Sequence, residues 1–222
     1  FMAIKNGDLV KIEYTAYSGD SIIDTTDEKL AKENNIFDQK KKYGPAIVKV
    51  GANQVLQGVD EALVDMEAGN EKEFEIPPEK AFGNKDSQKV RLVPMKQFRD
   101  AGMRPVPGQV INVDDTPAVI KSVNSGRVVV DFNHPLAGVT LKYKVKALES
   151  ADNLEGKTKL LTEKYSMKTP EIKVNNEEVE INLGTNTYSP ERARDVSAVA
   201  ILTNELKEMG AKKVSFKGEW TF

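Results

Sequence analysis

Alternating apolar and polar residues predict short strands over most of the first half of the chain. In residues 7–17 the side chains of Val10, Ile12 and Tyr14 share one face, whereas Leu9 falls out of that alternation. This is the pattern of a strand with one buried face. The same reading predicts further short strands at residues 22–24, 46–50 and 71–76.

Helical spacing is rarer in this part of the chain. Val59, Leu63 and Met66 fall on one face of a short predicted helix. A second, polar helix is predicted from residue 26 to about residue 34, and residues 39–42 are predicted to form a solvated loop. A sheet with little helix is therefore expected here.

A small β module is predicted from residue 86 to residue 135. Asn124-Ser125-Gly126 joins its last two strands and is typical of a hairpin turn. A long, clearly alternating strand is predicted after the module, at residues 138–148. The module's own predicted elements are strands at 89–93, 109–113, 118–123 and 127–132, with a short helix at 94–101.

From residue 151 onward, the sequence predicts a different unit with the order α-β-β-α-β. Ser189 followed by Pro190 is a helix N-cap with proline at the first helical position. The last strand places Phe216, Trp220 and Phe222 on one face. The predicted elements are a helix at 152–165, strands at 171–174 and 178–183, a helix ending at 209, and a strand at 213–222.

Composition narrows the classes of chemistry. The chain has 222 residues, no cysteine and one histidine, which excludes disulfides, thiolate nucleophiles and a multi-histidine metal cage within one chain. A formal net charge of −2 gives no basic footprint for nucleic acid. Apolar runs are too short to span a membrane, and no signal peptide is visible, so a cytoplasmic protein is predicted.

No common catalytic motif is present: the chain has no phosphate-binding glycine loop, no nucleophile elbow and no HExxH motif. A single histidine, His134, is more often structural than a ligand. From the residues alone, the interpretation is a soluble multi-domain α+β protein.

Several segments, in order, resemble the FKBP family of peptidyl-prolyl cis/trans isomerases. They are Tyr14-Thr15-Ala16-Tyr17, Ile23-Asp24-Thr25-Thr26, Gln54-Val55-Leu56-Gln57-Gly58-Val59-Asp60-Glu61-Ala62-Leu63, Ala81-Phe82-Gly83 and Leu141-Lys142-Tyr143-Lys144-Val145. The segment Asn133-His134-Pro135-Leu136-Ala137-Gly138 is similar to the exit of the insert-in-flap domain of SlyD-like members. With its further C-terminal domain, the arrangement resembles the long archaeal type.

The resemblance implies an antiparallel sheet wrapped on a short helix, interrupted by an inserted β domain. The expected isomerase domain covers residues 1–85 and 136–150, the insert covers 86–135, and the C-terminal α-β-β-α-β domain covers 151–222. Isomerisation in this family needs no cofactor and no metal, which agrees with the composition.

The resemblance also implies a site for the prolyl ring. The residues expected to be catalytic are Tyr14, Asp24, Val55, Leu56, Val59, Phe82 and Tyr143. Those expected to bind the substrate beside them are Ile23, Ala46, Ala81, His134 and Leu136, with His134 and Leu136 at the rim. The sequence departs from common family residues at Val59, Phe82 and Ala46, where tryptophan, tyrosine and an aromatic residue are usual.

The expected partners are unfolded or partly folded proteins that contain prolyl bonds. The inserted module would bind them through apolar side chains, namely Val90, Leu92, Met95, Phe98, Met103, Val110 and Ile111. The aromatic face of the last strand suggests either a homodimer through the C-terminal domain or substrate binding by that domain.

Three functional hypotheses follow. The first is a prolyl isomerase that is also a folding chaperone. The second is a chaperone holdase with a weak or inactive isomerase pocket, and the third is an adaptor that binds proline-containing peptides.

Overall fold

The structure is a computed structural model that describes residues 3–167, 171–187 and 193–221. Contacts divide the chain into two compact units. The first unit is formed by the chain up to Ile76 together with the chain from Leu141 onward, and the second unit is Pro77–Thr140. Among the described residues, no helix is long and apolar enough to cross a membrane.

The main sheet of the first unit has five antiparallel strands. They lie in the order β2-β1-β9-β4, and β3 pairs with β1 beside β2. The strands are β1 (Leu9–Ser18), β2 (Ser21–Thr25), β3 (Ala46–Lys49), β4 (Glu71–Ile76) and β9 (Leu141–Ala151). Two short helices, α1 (Glu28–Glu33) and α2 (Gln57–Leu63), belong to the same unit. The predicted α+β class is confirmed.

Helix α2 packs closely against the inner face of this sheet. Val59 and Leu63 are fully buried on α2, as the helical spacing predicts. A Cβ atom at Gly58 would lie 2.4 Å from Cγ2 of Ile76, so only glycine allows α2 to approach β4 this closely. Val10, Ile12 and Val145 are fully buried, so one face of β1 and β9 forms the core of this sheet.

The C-terminal elements form a three-stranded sheet with two helices. They are α4 (Leu154–Lys164), β10 (Glu171–Asn175), β11 (Glu178–Thr187), α5 (Ala193–Glu208) and β12 (Lys213–Thr221). Strand β11 is central: it pairs antiparallel with β10 and parallel with β12. The predicted α-β-β-α-β order is confirmed, whereas the predicted N-cap Ser189 lies outside the described residues.

The C-terminal elements attach to the first sheet through a hydrophobic cluster that includes Leu9. Its side chain is 1 % exposed and belongs to the same hydrophobic cluster as Leu160, Leu161 and Leu202. Ile47 on β3 packs against that cluster from the same side. Leu9 is out of phase with Val10 and Ile12 because it faces a second core, on the outer face of the sheet. The C-terminal elements therefore pack directly on the expected isomerase sheet.

The second unit is a four-stranded antiparallel sheet with one helix. Its elements are β5 (Val90–Pro94), α3 (Met95–Asp100), β6 (Val110–Val113), β7 (Thr116–Asn124) and β8 (Arg127–Asp131), in the order β5-β8-β7-β6. Two 3-10 turns, Pro78–Lys80 and Ser87–Lys89, precede β5. Phe98, Ile120 and Val130 are buried in its small core.

Strand β9 begins and ends three residues later than predicted. The strand expected at residues 138–148 is Leu141–Ala151 in the structure. Gly138 has a φ of +74° and its N–H donates to the carbonyl of Gly83 at 2.8 Å, so the chain is still turning there. At the other end, pairing of Ala151 with Leu9 extends the strand by three residues.

Candidate functional site

Tyr14 and Asp24 are brought together by the hairpin of β1 and β2. The register pairs Ala16 with Asp24 and Thr15 with Thr25. The Tyr14 hydroxyl donates a hydrogen bond to Oδ2 of Asp24 at 2.8 Å, and the N–H of Thr25 donates to Oδ1 at 2.9 Å. Both oxygens of the carboxylate are thus held in place.

Lys41 completes the arrangement around Asp24. Its ammonium group forms an ion pair with Oδ1 of Asp24 and donates to the carbonyl of Thr25 at 2.9 Å. It also lies 5.6 Å from the ring centroid of Tyr14 and 5.5 Å from that of Tyr43. The prediction of a solvated loop at residues 39–42 is therefore wrong for Lys41. Nothing in a run of three lysines distinguishes the one that reaches a carboxylate.

Two further aromatic rings extend the site along the sheet. The ring centroid of Tyr143 lies 6.0 Å from that of Tyr14 and 6.3 Å from that of Phe74. Cross-strand pairing places Tyr143 opposite Ala16 on one side and Phe74 on the other. Phe74 was predicted only as a strand residue. Its place beside Tyr143 follows from the β4–β9 register, which the sequence does not contain.

Burial and the Asp24 charge keep both tyrosine hydroxyls protonated. Burial, followed by the negative charge of Asp24, raises the pKa of Tyr143 to about 12. Burial also raises the pKa of Tyr14, and its hydrogen bond to Asp24 adds to the effect. Tyr14 is therefore a permanent hydrogen-bond donor near neutral pH, and Asp24 is an acceptor.

The segment before α2 contributes the next predicted residues. Val55 and Leu56 are half-buried, whereas Val59 is only 2 % exposed. The buried carboxylate of Asp60 fixes the preceding loop, because it accepts hydrogen bonds from the N–H groups of Gly51 at 3.1 Å and Asn53 at 3.0 Å. The role of Val59 in the site for the prolyl ring stays a prediction. The predicted substrate-binding residues Ile23 and Ala46 are half-buried on β2 and β3.

In the second unit, Phe82 and His134 form one stacked pair. Their ring centroids are 4.2 Å apart and the rings are tilted by 5°. The N–H of Leu136 donates to Nδ1 of His134 at 3.1 Å, which holds the imidazole orientation. Ala81 and Leu136 are half-buried beside them in sequence. The structure thus assigns the lone histidine a stacking partner.

Comparison with known proteins supports the same interpretation. Residues 2–98 match the family model described as FKBP-type peptidyl-prolyl cis-trans isomerase, and residues 91–136 match the model of the FKBP26 IF domain. A short-type peptidyl-prolyl cis-trans isomerase of Methanocaldococcus jannaschii is 40 % identical over 143 residues, which cover 64 % of this chain and 91 % of that protein.

The chain belongs to the FKBP-type peptidyl-prolyl cis-trans isomerase family. It is an isomerase of this type, and bacterial members are also similar. The SlyD isomerase of Helicobacter pylori is 34 % identical over 119 residues, covering 52 % of this chain and 64 % of that protein. A 16 kDa FKBP-type isomerase of Escherichia coli is 30 % identical over 116 residues, covering 50 % and 77 % respectively.

The insert-in-flap match overlaps the module that displays apolar side chains. Val90, Leu92, Met103 and Val110 are 41 %, 61 %, 37 % and 67 % exposed. A cavity of about 420 Å³ opens in the same unit and is lined partly by Met103. These side chains are available to a partner, so their role in substrate binding stays open as a prediction.

Two other predicted contact residues of this module are built into its core. Phe98 and Ile111 are 7 % and 6 % exposed, because α3 packs Phe98 onto the sheet and Ile111 points to the same side. Met95 is half-buried against this core. Both residues also line the cavity of about 420 Å³, so their contact with substrate stays a prediction.

The predicted dimer face is only partly described. Phe216 is half-buried and packs against the core cluster of the C-terminal elements. The side chain of Trp220 and the whole of Phe222 lie outside the described residues. The homodimer therefore stays a prediction.

A cavity of about 590 Å³ in the first unit is lined in part by Tyr14 of the candidate site. Its lining includes Tyr43 but also the charged residues Glu13, Glu71, Lys144 and Lys146. No group of three potential metal ligands occurs in the described part of the chain. Tyr14, Asp24, Lys41 and Tyr143 supply the site with hydrogen bonds, charge and apolar contact.

Proposed function

We propose that this isomerase catalyses rotation about X-Pro bonds without a covalent step and also acts as a folding chaperone. The observation that carries the catalytic part is the Tyr14–Asp24–Lys41 arrangement beside the Tyr143 and Phe74 rings. This arrangement places a fixed polar group beside an apolar surface. Catalysis of prolyl-bond rotation requires both of these features.

The physical basis is differential binding. Resonance holds the X-Pro bond planar, with a barrier of roughly 20 kcal/mol. The twisted transition state loses the charge separation of the planar amide, so an apolar site favours it over the planar state, which water solvates better. A thousandfold acceleration requires about 4 kcal/mol of such preference.

Each predicted residue of the first unit then has a proposed role. Asp24 orients the rotating carbonyl, directly or through water and the Tyr14 hydroxyl, and the N–H of Leu56 holds a substrate carbonyl. Lys41 fixes the carboxylate that does the orienting. The apolar contacts of the prolyl ring within the first unit are proposed to come from Tyr14, Val55, Leu56, Val59 and Tyr143, with Ile23 and Ala46 also contacting the substrate.

The chaperone part is supported by the exposed apolar side chains of the second unit. Leu92 and Val110 are both more than half exposed on strands at the two edges of its sheet. Exposed apolar residues grouped on one small module are typical of a surface that binds partners. Tethering an unfolded chain there raises the local concentration of its prolyl bonds.

One experiment separates this proposal from a holdase or an adaptor. The refolding of a protein limited by prolyl isomerisation is followed with and without the enzyme, alongside isomerisation of a proline-containing tetrapeptide. We expect acceleration of both, and a larger relative effect on the protein. Suppressed aggregation without any acceleration would favour the holdase, and binding of proline peptides without either effect would favour the adaptor.

A further inference from the structure

Two adjacent lysines connect the candidate site with the C-terminal elements. Lys41 binds Asp24, while Lys42 donates a hydrogen bond from Nζ to Oγ of Ser166 at 2.8 Å. Ser166 directly follows the C-cap of α4. The chain at residues 41–42 is therefore held between the Asp24 carboxylate and the C-terminal part of the molecule.

Ser166 is a fixed point relative to the sheet. It adopts a φ of +57° at the end of α4, and its N–H donates to the carbonyl of Glu163 at 2.9 Å. The carboxylate of Glu163 in turn forms an ion pair with Lys11 on β1. Leu161 of α4 is fully buried in the cluster that includes Leu9. Helix α4 thus carries Ser166 as part of a packed core.

The segment that contains the two lysines is tied together internally. The N–H of Asp38 donates to the Tyr43 hydroxyl at 3.0 Å, and the Tyr43 ring stacks on Phe37 with centroids 5.3 Å apart. The N–H of Lys41 donates to the carbonyl of Asp38 at 3.1 Å. Displacement of Lys42 is therefore transmitted to Lys41, because both belong to one closed loop, residues 37–43.

We infer that Lys42 and Ser166 are positioning residues of the isomerase site. The C-terminal elements hold loop 37–43 through the Lys42–Ser166 bond, and the loop holds the Asp24 carboxylate through Lys41. This inference rests on the proposed role of Asp24. It gives the C-terminal elements a function in catalysis, in addition to packing on the sheet.

The test uses the full chain with Ser166→Ala and Lys42→Ala, and with Lys159→Ala as the control. Lys159 pairs with Glu149 at 3.5 Å, across the same junction between α4 and the sheet but away from loop 37–43. Loss of one exposed hydrogen bond changes the equilibrium constant for opening of the loop by about two- to fivefold. We expect amide hydrogen exchange in loop 37–43 to accelerate by this factor in the two test variants and to stay unchanged in Lys159→Ala.

Isomerase kinetics give the second measurement. The kcat/KM of a tetrapeptide should fall by about two- to fivefold in Ser166→Ala, and Ser166→Thr should restore it because it keeps the hydroxyl. In a Lys41→Met background, Ser166→Ala should have no further effect, since the path through Lys41 is already broken. A merely structural contribution of Ser166 would add to that of Lys41.

The outcomes are distinguishable. Unchanged exchange in both test variants overturns the inference, as does accelerated exchange with unaltered kinetics. If the unaltered protein accelerates no prolyl bond, the proposed function fails, whereas the exchange measurement still decides whether Ser166 anchors the loop.

Discussion

The Tyr14 hydroxyl lies 2.8 Å from the Asp24 carboxylate, to which it donates a hydrogen bond. The pair depends on the register of the β1–β2 hairpin, in which Ala16 lies opposite Asp24. Because side chains alternate along a strand, a slip of one residue would turn Asp24 to the other face of the sheet. The hairpin register is thus a condition for the site.

Removing the Tyr14 hydroxyl should weaken catalysis without unfolding the protein. In Tyr14→Phe the carboxylate of Asp24 loses one of its fixed donors, so we expect kcat/KM to fall by about three- to tenfold, as is typical for a hydrogen bond to a charged group. Tyr17→Phe is the matched control, because Tyr17 lies on the same strand and faces away from Asp24. An equal loss in both variants would contradict the role of the pair.

Replacing Lys41 should reduce the isomerase rate more than replacing its neighbour Lys40. In Lys41→Met the Asp24 carboxylate loses its ion-pair partner, and we expect kcat/KM for a tetrapeptide to decrease by about threefold or more, since the pair is partly shielded from water. Lys40→Met removes the same charge from an exposed position of the same loop and should leave the rate unchanged. The comparison separates a local contact from the effect of net charge.

Alkaline pH should destabilise the first unit through its buried tyrosines. The pKa of Tyr143 is raised to about 12 in the folded state, from an ordinary value of 10. The stability from its protonated, buried hydroxyl is therefore fully present below pH 10 and is lost as the pH rises from 10 to 12. For Tyr143 this amounts to about 3 kcal/mol.

The measurement is the free energy of unfolding by urea at several pH values between 9 and 12. The variant Tyr143→Phe lacks the titrating hydroxyl and should lose less stability over this range. The same slope in both proteins would show that other groups, such as the lysines, cause the alkaline loss.

Gly58→Ala should destabilise the packing of α2 on β4. The added methyl group would lie 2.4 Å from Cγ2 of Ile76, so the helix or the strand must shift. We expect the free energy of unfolding in urea to fall by about 1–3 kcal/mol, as for other overpacked sites. Gln57→Ala, at the exposed neighbouring position, should change it by about 0.5 kcal/mol or less.

Replacing the exposed apolar residues of the second unit should reduce catalysis of protein refolding more than isomerisation of short peptides. In the double variant Leu92→Ser and Val110→Ser, we expect refolding catalysis of a protein substrate to drop about fivefold or more, while tetrapeptide turnover stays within about twofold. Ile201→Ser is the control, since Ile201 is an apolar side chain of α5 that is 50 % exposed. Parallel losses in both assays would argue against a separate binding surface.

Much of the fold could be predicted because strands and helices have distinct sequence periods. The alternation around Val10 and Ile12 and the spacing of Val59 and Leu63 both correspond to observed elements. Errors lie at boundaries: Gly138 continues a turn where the alternation alone predicted a strand. The local pattern contains no information on where pairing with β1 begins and ends.

The candidate site was predictable only in part. Tyr14, Asp24 and Tyr143 were identified by resemblance, and the structure places them together. Lys41 and Phe74 were missed, since a lysine run and one strand aromatic have no distinctive spacing. Only the fold shows that their side chains reach the other three.

By itself, the sequence determined the elements, their order, the family and the absence of thiol chemistry, because all of these depend on residue type and local spacing. Only the tertiary structure determines which core or which partner each side chain contacts. Leu9 interrupts the alternation of its strand because its side chain is buried in the C-terminal core. Lys41 and Lys42 are adjacent in a charged run, but they bind different partners, Asp24 and Ser166. Contacts between residues more than 100 positions apart, such as Lys42 with Ser166, leave no trace in local pattern because they arise only when distant segments pack.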